Sequence, residues 1–506
     1  MTTGTKKYFD TVVVGSGISG MTMTLLLAQA GQKVLLLEQD RKIGGSMQRF
    51  KRQGVPFDTG FHFTAGFGDI LTQMLQVMDI EAEIEPIYFS PPGGARIFFK
   101  DRQELLCFPA KRDQLVTMLT KRYPDEAALI RQFFQDEEYI FKNTPTMDLK
   151  NFETLLGDGS VVNLGMLDED FITLEDYFNK LGMSAEVRTV LSMFAMCHGT
   201  PPSEISFANH CRVSYGLHDG IAQVKNGGDA FIQAFLGKAA KLDIEIICNC
   251  TINECLEVKN RTSTALKLSN DIEINCNEVV LAIHPREIAK ILPTSVTNKI
   301  FRERVTDFDD TFGFFSLHAI TTEYIEDFPI SLTSCFSSAN INKIMSATCA
   351  ESGMAIMTTI EATATGKVQV INAFDAMWMQ DCEQWKNIKN RHKNSEYQAY
   401  KKAYADKIIA NIEIVYPQLC GKLKVLETAT ILTFNDYLNG GGAAYGVKQL
   451  VGQFNLFGKL PLRNFYAVGQ SSLLPGAIGA MLSSFIIFNK IVGNEKFKPL
   501  IKRITS

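Results

Sequence analysis

Three glycines at one turn, Gly15-Ser16-Gly17-Ile18-Ser19-Gly20, constrain this chain more than any other feature. They stand between a β-branched run, Thr11-Val12-Val13-Val14, and a good helix former, Met21 to Ala30. The run predicts a strand buried on both faces. Gly31 closes the helix as its C′ residue, and Lys33 to Leu37 predicts a second strand. In a strand–turn–helix–strand unit of this kind, Gly15 permits the tight turn and Gly17 lets backbone approach a pyrophosphate. Gly20 lets helix and strand pack closely. The N–H groups of the loop and the start of the helix favour an anion. Glu38 ends the second strand, 18 residues after Gly20, with Gln39 beside it. A carboxylate there accepts hydrogen bonds from ribose hydroxyls and repels a 2′-phosphate. The pattern predicts an α/β fold with a dinucleotide site.

Bulk properties narrow the class. A chain of 506 residues suits two intimately packed domains. Net charge is −4 without long single-sign blocks, so no nucleic-acid groove is expected. Met1 to Asp10 is polar, which does not read as a signal peptide. The longest apolar stretch, about Leu473 to Phe488, is broken by Pro475 and glycines and falls short of a bilayer span. A cytoplasmic protein, soluble or at most surface-associated, is expected. The odd count of 11 Cys points to a reducing compartment. Cys248, Cys250 and Cys255 have no His nearby at ligand spacing, so unpaired thiols are expected there and no metal. Most of the 35 Phe and 18 Met belong to the core, with enough soft apolar surface to line a greasy cavity.

The organisation reads as one domain assembled from three stretches, 1–95, 216–306 and 419–506, with insertions 96–215 and 307–418 forming another. The first insertion is predicted to be largely helical, with one-sided apolar faces between Lys111 and Asn143 interrupted by Pro124. Strands are expected at Ile244 to Cys250, Ile252 to Val258, Glu278 to Ile283 and Phe465 to Val468, with a closing helix from Gly476 to Ile491.

Past Glu38 comes Gly44-Gly45-Ser46-Met47. This glycine pair resembles the extended FAD fingerprint of glutathione-reductase-like and amine-oxidase-like flavoproteins. Phe57-Asp58-Thr59-Gly60-Phe61-His62-Phe63 is similar to a narrower group, the phytoene desaturase, carotenoid isomerase and retinol saturase family. So is the close, Gly469-Gln470 with Leu474 to Ala480, in which Gly479 and Ala480 fall early in the closing helix. Cys197 to Pro202, Val224 to Gly228, and Thr433-Phe434-Asn435 with Gly440 to Gly446 follow in the same order. Gln470 and Ser46 depart from the commoner flavoprotein pattern, which has an acidic residue and an arginine there.

The resemblance implies a glutathione-reductase-like FAD domain with a discontinuous substrate domain. It also implies FAD contacts from Gly15 to Gly20, Glu38, Gln39, Gly44 to Met47, Phe61, His62, Ile252, Gly469, Gln470, Gly479 and Ala480. The implied substrate is a long lipophilic polyene or isoprenoid, saturated, desaturated or isomerised by hydride exchange at flavin N5. His62, an imidazole expected to titrate near neutral pH, and Tyr445 are the candidate proton donors. No second Gly-x-Gly-x-x-Gly unit follows, so electrons are expected from or to a partner protein, a quinone, O₂ or nicotinamide. A peripheral membrane contact is plausible for such substrates, with basic residues Lys490, Lys496, Lys498, Lys502 and Arg503 near the end. Two other readings share the fold: a flavin amine oxidase, which needs an aromatic cage, and a prenyl-lipid escort like the GDP-dissociation inhibitors, which needs no FAD.

Overall fold

The β-branched run becomes the central strand of a parallel sheet. In the computed structural model, which describes residues 6–89, 94–154, 165–346, 353–438 and 440–504, strand Lys7–Val14 is flanked by Val34–Leu37 and Glu273–Leu281, both parallel to it. Val12 and Val13 have no solvent exposure, as burial on both faces requires. Glu245–Ile247 extends the sheet beyond Val34–Leu37. Beyond Glu273–Leu281 lie Thr262–Leu268 and Ile252–Lys259, antiparallel, and Phe465–Ala467, parallel. Helices Ile18–Gln29 and Gly476–Ile501 pack together, with Met21, Leu25, Met481 and Phe485 in one core cluster.

A second sheet of seven strands runs in the order Leu423–Ala429, Gly313–Thr321, Gly366–Met377, Met354–Thr363, Ser331–Phe336, Ala95–Phe99, Glu104–Cys107. Helices Arg112–Arg122, Ala127–Lys142, Leu174–Leu181 and Phe207–His218 form the helical insertion beside it. Thr173 caps Leu174–Leu181 in a capping box with Asp176, satisfying N–H groups that the helix cannot.

Three expectations shift. The return to the first layer begins after Ala429, not at 419, because Leu423–Ala429 is the edge strand of the second sheet. The hairpin Ala95–Phe99 with Glu104–Cys107 opens the segment expected to be helical; its partner strand, Ser331–Phe336, lies more than 200 residues on, beyond local pattern. The closing helix continues past Ile491 to Ile501, through a kink at Gly493 where φ is +74°. It is thereby long and apolar enough to cross a bilayer, although most of its apolar window is buried inside the protein. Among the described residues no His/Cys/Asp/Glu group has metal-holding geometry.

Candidate functional site

Between the layers lies a cavity of about 550 Å³ that starts at the glycine turn. Gly15 takes φ +92°, and a Cβ there would meet the Ala282 carbonyl oxygen at 2.6 Å. Gly17 is the extended N-cap residue of Ile18–Gln29, and nothing lies within 4 Å of its would-be Cβ. Its open face lines the cavity. Gly20 has a packing role instead, since a Cβ there would stand 1.8 Å from the Gly15 carbonyl oxygen.

One hydrogen-bond chain ties the nucleotide end together. Ser16 donates to Glu38 Oε2 from its N–H at 2.9 Å and from its hydroxyl at 2.5 Å. The Asp40 N–H donates to Glu38 Oε1 at 2.8 Å, and the Gly44 N–H donates to Ser16 Oγ at 3.0 Å. The glycine pair sits against the first loop: a Cβ on Gly45 would meet Gly17 Cα at 3.2 Å, and Gly44, at φ +120°, is pressed on Ile232. At the far end of the chain Gly469, at φ +117°, donates its N–H to Ser483 Oγ at 2.8 Å. Gln470 donates to the Ala444 carbonyl at 3.3 Å. Gly479 packs on Leu474. Gln39, Ser46, Met47, Phe61, Ile252 and Ala480 all line the cavity; Gly20, Gly44 and Gly479 stand behind its wall.

The cavity changes character along its length. His284, Glu287 and Lys290 join Glu38 in the Rossmann layer. Met193, Phe194, Met196 and Cys197 come from the helical insertion, and Phe314, Leu332, Ser334, Ala355, Met357 and Phe374 from the second sheet. Phe434, Tyr437 and Leu438 come from helix Ile431–Leu438. None of these was singled out from sequence by residue, except Cys197 and Phe434 as members of matched stretches. Leu332 with Ser334, and Ala355 with Met357, show the period of two that sends alternate strand residues to one face.

The two candidate proton donors line this part. The His62 ring lies on Phe374, centroids 4.2 Å apart, and its Nδ1 is buried with no hydrogen-bond partner among the described residues. Burial first, then His318 and Arg49, lowers its pKa to about 3. That corrects the expectation of an imidazole titrating near neutrality: His62 is neutral at pH 7. Tyr445 stands edge-on to Phe312 and Phe314, and burial, with the neighbouring Cys197, holds its phenol well above the usual value and protonated. Burial also pushes the Cys197 thiol up to about 12. Arg503, expected in a basic surface tail, donates to Gln29 Oε1 and the Val77 carbonyl and so anchors the chain end.

Residues 13–78 match an NAD(P)-binding Rossmann-like domain. All-trans-retinol 13,14-reductase of Danio rerio is 23% identical over 98% of this chain and 88% of its own length. Prolycopene isomerase 2, chloroplastic, of an Oncidium hybrid cultivar is 30% identical over 29% of this chain and 25% of its own. The chain is similar to these proteins. A solved structure of putrescine oxidase bound to putrescine has the same fold, with a TM-score of 0.64 at 13% identity over 96% of this chain and 99% of that one. An open Gly17 face, an anion-favouring helix start, a buried carboxylate for ribose and a cavity running on to the second sheet fit an extended dinucleotide.

Proposed function

We propose that this chain binds FAD and with it reduces a carbon–carbon double bond in a long lipophilic polyene of the retinoid or carotenoid class. One observation carries the reading. The cavity lining drawn from the second sheet, the helical insertion and helix Ile431–Leu438 has no acidic or basic side chain among the described residues. An amine substrate is a cation near neutral pH and would lose its hydration there without a counter-ion, at a cost of several kcal/mol. A polyene loses only unfavourable water contact. An escort protein needs no nucleotide cradle. The whole-length likeness to a protein named for 13,14-reduction, against a partial likeness to an isomerase, favours reduction.

When bound, FAD supplies hydride exchange at flavin N5. The chain's own residues do the rest. The Gly15–Gly20 loop and the helix behind it hold the pyrophosphate, and Glu38 holds the ribose. Phe314, Phe374, Met193 and Met357 orient the chain of the substrate and exclude water. His62 and Tyr445 are the groups on this wall assigned to give the proton. Electrons enter from a partner protein, a quinone or nicotinamide, with O₂ as a possible acceptor in the reverse sense. Tyr437 is 68% exposed yet lines the cavity, and marks where a substrate drawn from a membrane surface enters.

The test is spectroscopic. Purified protein reduced anaerobically should regain oxidised-flavin absorbance when a polyene is added. A colourless protein that releases no flavin on denaturation would remove the reading.

A further inference from the structure

His62 borders two cavities. On one side is the apolar site; on the other is a polar cleft of about 760 Å³ between helix Gly228–Lys241 and the strands Arg49–Arg52, Val55–Asp58 and Met354–Thr363. Gln223, which lines the cleft, donates to the Met357 sulfur at 3.6 Å; Met357 lines the apolar site. The partition between the two is therefore one side chain thick at His62 and two, Gln223 and Met357, thick beside it.

The cleft carries the charges that the apolar site lacks. Arg49 Nε lies 2.8 Å from Asp58 Oδ1, and Arg49 Nη2 lies 2.6 Å from Glu361 Oε1. Asp58 is clamped from behind: a Cβ on Gly227 would lie 2.1 Å from Oδ1. Asp229, Lys51, Lys225 and Lys238 also line the cleft. His318, which faces His62 from the second sheet, holds a hydrogen bond to Asn372 at 2.7 Å and is committed there.

We propose that this cleft is the proton-supply route of the enzyme, and that His62 passes protons from its water to the substrate. The inference rests on the reduction reading above. The π bond accepts a hydride from reduced FAD at one carbon and a proton from His62 at its neighbour, so two C–H bonds form. The ring regains a proton from cleft water, and solvent supplies one proton per turnover. The external donor replaces the two electrons. A neutral imidazole suits this role, because one nitrogen can give a proton while the other receives one. The unpartnered Nδ1 provides the second nitrogen. Asp58 supports the route from the cleft side: burial, opposed by Arg49, pushes its carboxyl up to about 7, where it exchanges protons near neutral pH.

The test closes the mouth of the cleft without touching either site. Gly237, on Gly228–Lys241, is exposed, has nothing within 4 Å of its would-be Cβ and lines the cleft; Ala362 lines it from the facing strand. Gly237→Trp and Ala362→Trp should both fold. In FAD-loaded protein, carbethoxylation of His62 by diethylpyrocarbonate is followed by peptide mass spectrometry. Labelling should fall at least fivefold in both variants. Polyene reduction should slow with a raised solvent isotope effect, while FAD content is unchanged. Labelling and turnover equal to wild type in both variants would overturn the route. Absence of polyene reduction in the wild type would instead sink the function reading, and the labelling would still decide whether the cleft reaches His62.

Discussion

Gly17 and Gly20 stand three residues apart in one loop, yet the structure separates their roles, and a paired substitution tests that separation. At Gly17 a side chain meets no protein atom within 4 Å and projects into the cavity. Gly17→Val should cost the apoprotein only about 1 kcal/mol, the difference between glycine and an aliphatic residue at an N-cap. The side chain occupies the path of the pyrophosphate, so FAD affinity should fall well over tenfold, more than ~1.4 kcal/mol. At Gly20 a methyl would lie 1.8 Å from the Gly15 carbonyl oxygen and 3.4 Å from Ala282 Cβ. Ordinary contact distances require the helix to retreat by more than an ångström from a strand that is fully buried. Overpacking of this kind costs about 3 kcal/mol or more. Gly20→Ala should therefore lower the apoprotein melting temperature by several degrees. Thermal melts of apoprotein, with fluorescence titration of FAD, separate the two effects. Wild-type FAD affinity in Gly17→Val, or a wild-type melt in Gly20→Ala, would refute the assignment.

Other consequences follow from the buried charges. His62→Ala should retain FAD and lose turnover by about 10²-fold or more, read by steady-state rate against flavin content; unchanged turnover removes His62 from the chemistry. Glu137 is fully buried between Arg112 at 2.6 Å and His218 at 2.9 Å, so Glu137→Gln should cost about 3–5 kcal/mol in urea denaturation. His62, His210 and His318 have folded pKa values lowered by burial to about 3, 4 and 4. The unfolded chain binds protons at these sites below pH 6.5 while the folded chain does not. Stability should drop as pH falls from 6.5 towards 4, by up to about 4 kcal/mol per pH unit from the three together. Melting temperatures across that range should fall accordingly, and a flat profile contradicts the burial argument. Glu137, lowered to about 2 against burial by His218 first and then Arg112, extends the loss below pH 4.5.

The first layer was legible because its signals are local. Thr11 to Glu38 is contiguous, and Gly15 and Gly20 in it answer to contacts within the same strand–turn–helix unit or its neighbour strand. The second sheet was not. Ala95–Phe99 is a five-residue strand, interrupted by Arg96, whose meaning depends on Ser331–Phe336, and Leu423–Ala429 is a half-buried edge strand with little pattern of its own. The substrate side of the cavity was hidden for the same reason: Met193, Leu332, Met357 and Phe374 meet only through long-range pairing. His62 was legible as a candidate from its motif. Its charge state was not, since that depends first on burial in the fold and then on His318 and Arg49. Sequence offered an imidazole as a candidate proton donor; the fold decides that it is neutral and borders a polar cleft.

Product mass tests the central claim most directly. FAD-loaded protein, reduced and held anaerobically with candidate retinoids and carotenoids, should convert one of them to a product heavier by two hydrogens, with the flavin reoxidised in equal amount. A product of unchanged mass and altered retention would make the enzyme an isomerase, and a product lighter by two hydrogens from oxidised enzyme a desaturase. Either outcome would contradict reduction as the direction of the chemistry. Flavin that stays reduced in the presence of every polyene would contradict the substrate class itself.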